Sequence, residues 1–170
     1  MFHSVTQISK FKSLTTSQSM NVIPTSVEFI NCGFIRQINH SLLGYDYTSG
    51  VWQFEGYAYV PSGTTGVSIM QVFGASSQAT TAMLRVYNPS LKYYTDPVLV
   101  PNVYNKWYRI NVIHDVGAGK VSVYIDGVFK YETHDNGPAT HYFKFGVYTH
   151  DNPSAHMESR WTGIKVLRKN

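Results

Sequence analysis

The run Tyr142-Phe-Lys-Phe-Gly-Val-Tyr148-Thr-His150 holds the densest set of chemistry-bearing side chains in the sequence. Read as a strand, with side chains alternating between two faces, Phe143, Phe145, Val147 and Thr149 share one side and suit a core. Tyr142, Lys144, Gly146, Tyr148 and His150 share the other side: a cation, two phenols and an imidazole around a glycine. Gly146 removes a side chain from the middle and leaves room for a ligand to approach the backbone. Such a face suits sugar binding on the concave sheet of a jelly roll. An ordinary solvated face of Tyr and Lys has the same period, and periodicity alone leaves both readings open. A second set lies in Ile69-Met-Gln-Val-Phe-Gly74. Alternation places Gln71 on the face of Ile69 and Phe73, where a buried amide must find partners, in a loop or in a ligand carboxylate. Arg85 and Tyr87 share a face with Met83. A guanidinium there can hold a carboxylate through two parallel hydrogen bonds, although a plain surface arginine fits the sequence as well.

Other chemistries find little support. The seven histidines show no HExxH or comparable ligand spacing, so no metal and no other cofactor are expected. A single cysteine, Cys32, excludes an intramolecular disulfide and a cysteine zinc cluster, and a buried free thiol is expected there. The net charge is +4 and the pI about 9.1. Lys and Arg are scattered rather than clustered, which argues against nucleic acid, whereas a face that accepts an anionic ligand gives the same balance. No apolar run approaches the length of a membrane-spanning helix.

The elements that must position these residues are strands. Aromatic residues make up 15% of the chain and charged residues 14%, and this aromatic-rich, charge-poor mix favours strands over helices. Val51–Val60 alternates Trp52, Phe54, Gly56, Ala58 and Val60 against Gln53, Glu55, Tyr57 and Tyr59. Further strands are predicted at 67–74, 82–87, 107–114, 120–125, 128–132, 141–150 and 161–167, with an edge-like, Pro-interrupted one at 93–99. Asp115–Gly119 and Asp126-Gly127 supply hairpin turns. No stretch sustains a helical period. The pattern predicts an all-β, jelly-roll (concanavalin-like) antiparallel sandwich over residues 44–170.

Residues 1–43 read differently, as a divergent arm, partly disordered or taking the place of N-terminal strands. Met1 to Ser26 contains ten Ser or Thr, two Lys and no acidic residue before Glu28, and has no apolar core of a signal peptide.

The run Tyr142-Phe-Lys-Phe-Gly-Val-Tyr148 resembles the YFKxGxY signature of the alginate lyase type 2 superfamily, and Gln71-Val-Phe73 stands where those enzymes carry Q-[IV]-H. Gly44-Tyr-Asp-Tyr-Thr-Ser-Gly-Val-Trp-Gln-Phe-Glu-Gly56 is similar to the plant citrate-binding proteins, a branch of that superfamily, as are Trp107-Tyr-Arg-Ile-Asn-Val-Ile-His-Asp115 and Met157-Glu-Ser-Arg-Trp161. The resemblance implies β-elimination on uronate chains, with Tyr148 as acid and candidate base and Gln71 neutralising the carboxylate. It places Lys144 in the lining of the groove, where Arg85, Tyr142 and Tyr87 are further candidates from the residue reading. It also exposes departures. Phe73 replaces the family histidine, and Arg36-Gln-Ile-Asn-His-Ser-Leu-Leu43 stands where an R-[TS]-E-x-R strand belongs. His150 stands in place of a glutamine; it is either a substitute base or, the preferred reading, a solvent-facing residue, and His40 is a second substitute. Loss of a general base removes a factor of about 10²–10⁴ in rate. The expected function is therefore binding of an acidic oligosaccharide or small carboxylate. An active alginate- or glucuronan-type lyase is one alternative. Another is a truncated domain whose exposed sheet edge self-associates. Relatives of this kind are secreted or vacuolar, and with no signal peptide read here the compartment stays open.

Overall fold

Alternation of apolar and polar residues decides which way each strand faces, and the two sheets follow from it. The computed structural model describes residues 44–169, together with the strand backbones at 11–13, 26–32 and 37–41. The side chains of Cys32 and His40, and most of the 1–43 arm, lie outside the described residues. The strands run β1 (Phe11–Ser13), β2 (Ser26–Cys32), β3 (Gln37–Ser41), β4 (Val51–Tyr59), β5 (Val67–Phe73), β6 (Thr80–Tyr87), β7 (Ser90–Tyr93), β8 (Val98–Val100), β9 (Trp107–Asp115), β10 (Lys120–Ile125), β11 (Val128–His134), β12 (Tyr142–Thr149) and β13 (His156–Lys169). One sheet has the order β1-β13-β4-β9-β10-β11, with β2 also on β13; the other runs β3-β12-β5-β6-β7-β8. All pairings between these strands are antiparallel. The chain is an all-β jelly-roll sandwich.

The inward faces meet in an aromatic core. Phe54 on β4 lies 5.9 Å from Phe143 and 5.9 Å from Phe145 on β12, and 5.7 Å from Trp161 on β13, measured between ring centres. Offset and edge-on pairs of this kind add about 0.5–1.5 kcal/mol each beyond their area. The turn residues behave as their sequence demands. Asp126 and Gly127 both take positive φ, 52° and 78°, as a two-residue type I′ hairpin turn requires, and join β10 to β11. The strand predicted at 93–99 is instead two short ones: β7 ends at Tyr93, a turn follows, and β8 closes the sheet at its edge. Tyr94 leaves the strand with φ 49°, outside the extended region, which explains the break.

A polar plug closes one end of the core. His114 and His141 are fully buried, with ring centres 4.6 Å apart. His114 pairs through Nδ1 with the Tyr47 hydroxyl at 3.1 Å and through Nε2 with Asp135 Oδ2 at 3.2 Å. His141 Nδ1 lies 2.9 Å from the carbonyl of Gly74, and its Nε2 is buried without a partner. Burial lowers the pKa of both imidazoles, so they sit neutral in the core.

Candidate functional site

The outward face of the six-stranded sheet gathers the chemistry-bearing residues. On β12 the alternation holds: Phe143, Phe145 and Val147 enter the core, while Tyr142, Lys144 and Tyr148 lie half-buried on the other side. On β5 it does not hold. Ser68 and Met70 are in register with the consecutive β6 residues Arg85 and Leu84, so Ile69 is an extra residue, a β-bulge. Ile69 and Met70 both enter the core, and the outward set becomes Ser68, Gln71 and Phe73. This corrects the expectation that Gln71 shares a face with Ile69. A matching irregularity on β12 lies between Phe145 and Tyr148 and contains Gly146, whose φ of 127° favours glycine.

The registers produce two rows across the sheet. Lys144 on β12 faces Gln71 on β5, which faces Met83 on β6. Tyr148 on β12 faces Ser68 on β5, then Arg85 on β6, then Lys92 on β7. Beside the first row, Tyr142 packs on Phe73 at 5.0 Å between ring centres. On the far side of β12, Gln37, Asn39 and Ser41 of β3 are in register with Tyr148, Gly146 and Lys144, and His40 with Phe145.

Several donors here lack protein partners. Gln71 is 2% exposed and its Nε2 is buried without a hydrogen bond. Arg85 Nε is likewise buried and unpaired; its guanidinium lies 5.1 Å over the Tyr94 ring and touches the Met83 sulfur at 3.2 Å. Lys144 Nζ sits 5.0 Å over the Phe73 ring and 5.9 Å from that of Tyr148, and burial holds its pKa below the usual lysine value. Where a family histidine would stand, Phe73 thus forms a flat apolar support for a cation. The six strands of this sheet contain no Asp or Glu. The acids belong to the other sheet, at Glu28, Glu55, Asp115, Glu132 and Glu158. Asp46, which acts on Tyr142, and Asp151, which acts on His150, come from flanking loops.

His150 is not solvent-facing. It is half-buried just beyond β12, its Nε2 2.9 Å from Ser68 Oγ and its ring 5.1 Å from that of Tyr148. Burial, reinforced by the Arg85 charge, pushes its pKa down to about 4, so the ring is neutral at physiological pH. The structure therefore brings Tyr142, Lys144, Gln71, Tyr148, His150 and Arg85 onto one face. Tyr87 lies further out, opposite Ser90 at the β6–β7 turn. The sequence reading missed Ser68, Lys92 and Tyr94. The bulge hid Ser68, and Lys92 lies before the position where that strand was expected to begin; its alternation with buried Leu91 and Tyr93 was the available signal. Among the described residues no group of three or more His, Cys, Asp and Glu could hold a metal ion, and no helix is long and apolar enough to cross a membrane.

The surroundings of this face match known proteins. The alginate lyase family model fits residues 35–168, a span that begins just before β3. A citrate-binding protein of Hevea brasiliensis is 55% identical over 126 residues, which cover 74% of this chain and 53% of that protein; the chain spans about half the length of this curated relative. Among solved structures, alginate lyase AlyC3 has a TM-score of 0.65 at 10% identity, covering 85% of this chain and 75% of that one. Alginate lyase AlgAT5 of polysaccharide lyase family 7 has a TM-score of 0.57 at 19% identity, with coverages of 76% and 62%. These structures share the fold. With a family model matched over most of its length and a relative at this identity, the chain belongs to the alginate lyase family.

Proposed function

We propose that the outward face of the six-stranded sheet binds an acidic sugar or small carboxylate, with recognition rather than bond cleavage as its main task. The observation that carries this reading is the set Lys144, Gln71 and Arg85, half-buried or buried donors on one face of a sheet that contains no acid. A buried donor without a partner is unfavourable by about 1–3 kcal/mol, more when charged, and an arriving carboxylate relieves that. Tyr148, His150 and Tyr142 surround the Lys144–Gln71 point, and Tyr87 extends the face along β6. Strand β3, paired along β12, supports the reading that residues up to 43 supply a strand in place of the family's missing one. The Hevea relative's name points to citrate as the first small ligand to try. Titration calorimetry with citrate and with uronate oligomers tests the proposal, and absence of heat with every one of them would overturn it.

A second reading, β-elimination, is favoured by one observation: Tyr148 stands beside a neutral imidazole. In that reaction a base removes the proton α to the uronate carboxylate. The electron pair forms a carbon–carbon double bond, and the glycosidic C–O bond breaks as its oxygen takes a proton. His150 is a weak base for this work, because efficient general bases have pKa values near the working pH. An unsaturated product absorbing in the near ultraviolet, released from alginate, glucuronan or pectate and abolished by Tyr148→Phe, would establish the second reading over the first.

A further inference from the structure

We propose that this face has a second, separate anion-binding point, Arg85 with Lys92, and so selects ligands that carry two or more carboxylates. The inference rests on the carboxylate-binding reading above and adds a residue and a ligand class to it.

Arg85 on β6 and Lys92 on β7 are directly opposite in register. Both lie on the outward face, because their strand neighbours Leu84, Val86, Leu91 and Tyr93 are buried in the core. Like charges at directly opposed sheet positions repel, and folded sheets ordinarily separate or neutralise them. No strand of this sheet carries an acid that could neutralise them. The ion pairs of the described residues join His114 to Asp135, Lys120 to Glu132, His156 and Arg160 to Glu158, and Lys165 to Glu55, all away from this face. Arg85 is instead held by an aromatic ring and a sulfur, contacts that fix its position without an acidic partner on its own sheet. Its Nε is buried and unbonded, so the guanidinium enters the site with donor capacity to spare.

The two points are distinct. Gln71 is in register with Met83, and Arg85 lies two residues further along β6. A strand spacing of about 4.8 Å and a rise of about 3.3 Å per residue separate Gln71 from Arg85 by about 8 Å at the backbone. Between them stand Met83, which is buried, and Ser68, which is engaged by His150. Two carboxylates on one molecule can engage both pairs at once, one at each point. A tricarboxylate such as citrate and two linked uronates both meet that requirement.

The test is calorimetric titration of the full chain with glucuronate, citrate and a uronate dimer, repeated for Lys92→Gln, Arg85→Gln and a control, Lys130→Gln, on the exposed β11 edge. Lys92→Gln and Arg85→Gln are expected to weaken citrate or the dimer by about tenfold or more, as loss of a charge-assisted contact does. Lys92→Gln should leave glucuronate, held at Lys144–Gln71, within twofold. Thermal melting gives a second readout: Lys92→Gln should melt no lower than the native chain at low salt, since it removes a repulsion. Whichever of citrate and the dimer shows the loss identifies the source of the carboxylates. Equal weakening of all three ligands, or Lys92→Gln behaving like Lys130→Gln, would overturn the two-point arrangement. Failure of every ligand to bind the native chain would instead overturn the carboxylate-binding reading beneath it.

Discussion

Replacing Lys144 by Met should move binding and stability in opposite directions. In the native chain Nζ is half-buried over the rings of Phe73 and Tyr148, with no acidic partner on its sheet. Its pKa is lowered by burial, so the charged form is disfavoured in the folded state. Met fills a similar volume without a charge, and its sulfur keeps a contact with the rings worth about 0.3–1.5 kcal/mol, comparable to the cation–π term it replaces. Removing the unpaired charge then leaves a net gain of about 0.5–1 kcal/mol, within the range of stabilising changes made at functional sites. Against this, losing a hydrogen bond to a charged group takes about 1.5–3 kcal/mol from ligand binding, or roughly 10- to 150-fold in Kd. The sign has a pH signature. A lysine whose folded pKa lies below its unfolded value binds fewer protons when folded, so native stability rises with pH between the two values. Lys144→Met should lack that alkaline rise. Urea denaturation from pH 7 to 10.5, with calorimetry of citrate or a uronate oligomer, reads both effects. A variant that is less stable than native and binds unchanged would refute the reasoning, because Lys144 would then be a structural residue.

Three further outcomes are expected. Gly146→Ala forces a side chain into φ 127° at the β12 irregularity and should lower stability by about 1–3 kcal/mol in a thermal or urea melt. Tyr47→Phe removes the partner of buried His114 Nδ1, with an expected loss of about 1–3 kcal/mol in the same assay and no change in groups on the outward face of the other sheet. His114 and His141 are neutral in the fold with lowered pKa values, so the unfolded chain takes up more protons below about pH 6.5. Stability should be level near neutrality and fall as the pH drops through that value, and His141→Phe should reduce the fall measured by urea denaturation at pH 7 and pH 5.

The strands were legible wherever one face is a core. Phe143, Phe145 and Val147 alternate with Tyr142, Lys144 and Tyr148, and the pleat does the rest. The Asp126-Gly127 turn was legible for a similar reason, since its residues fit the backbone that a tight hairpin requires. What period 2 cannot carry is its own interruption. The bulge at Ile69 moves Ser68 onto the face of Gln71, and no residue type around it announces the slip. Pairing across long separations was equally hidden. His150 meets Ser68 at a distance of 82 residues along the chain, and His114 meets Tyr47 across 67. The absence of acids from one sheet is a property of the sequence, but it becomes visible only once each strand is assigned to its sheet.

That segregation of charge explains why binding and elimination place conflicting demands on this face. An unliganded carboxylate site is strongest when its cations are dry and uncompensated, because a low local dielectric magnifies their attraction for an anion. The same conditions penalise protonation of any imidazole among them. Burial and the Arg85 charge act together on His150 and hold it near pKa 4, far below what proton abstraction at neutral pH favours. A carboxylate seated against Arg85 would cancel part of the field, and the pKa of His150 would rise towards its ordinary value. The base is therefore weakest in the empty protein and strengthens only when a ligand is already bound. Phe73 offers no second proton acceptor, since its ring supports Lys144 instead. On the proposed function, a sheet arranged in this way holds an anion while the machinery for cutting one is depleted.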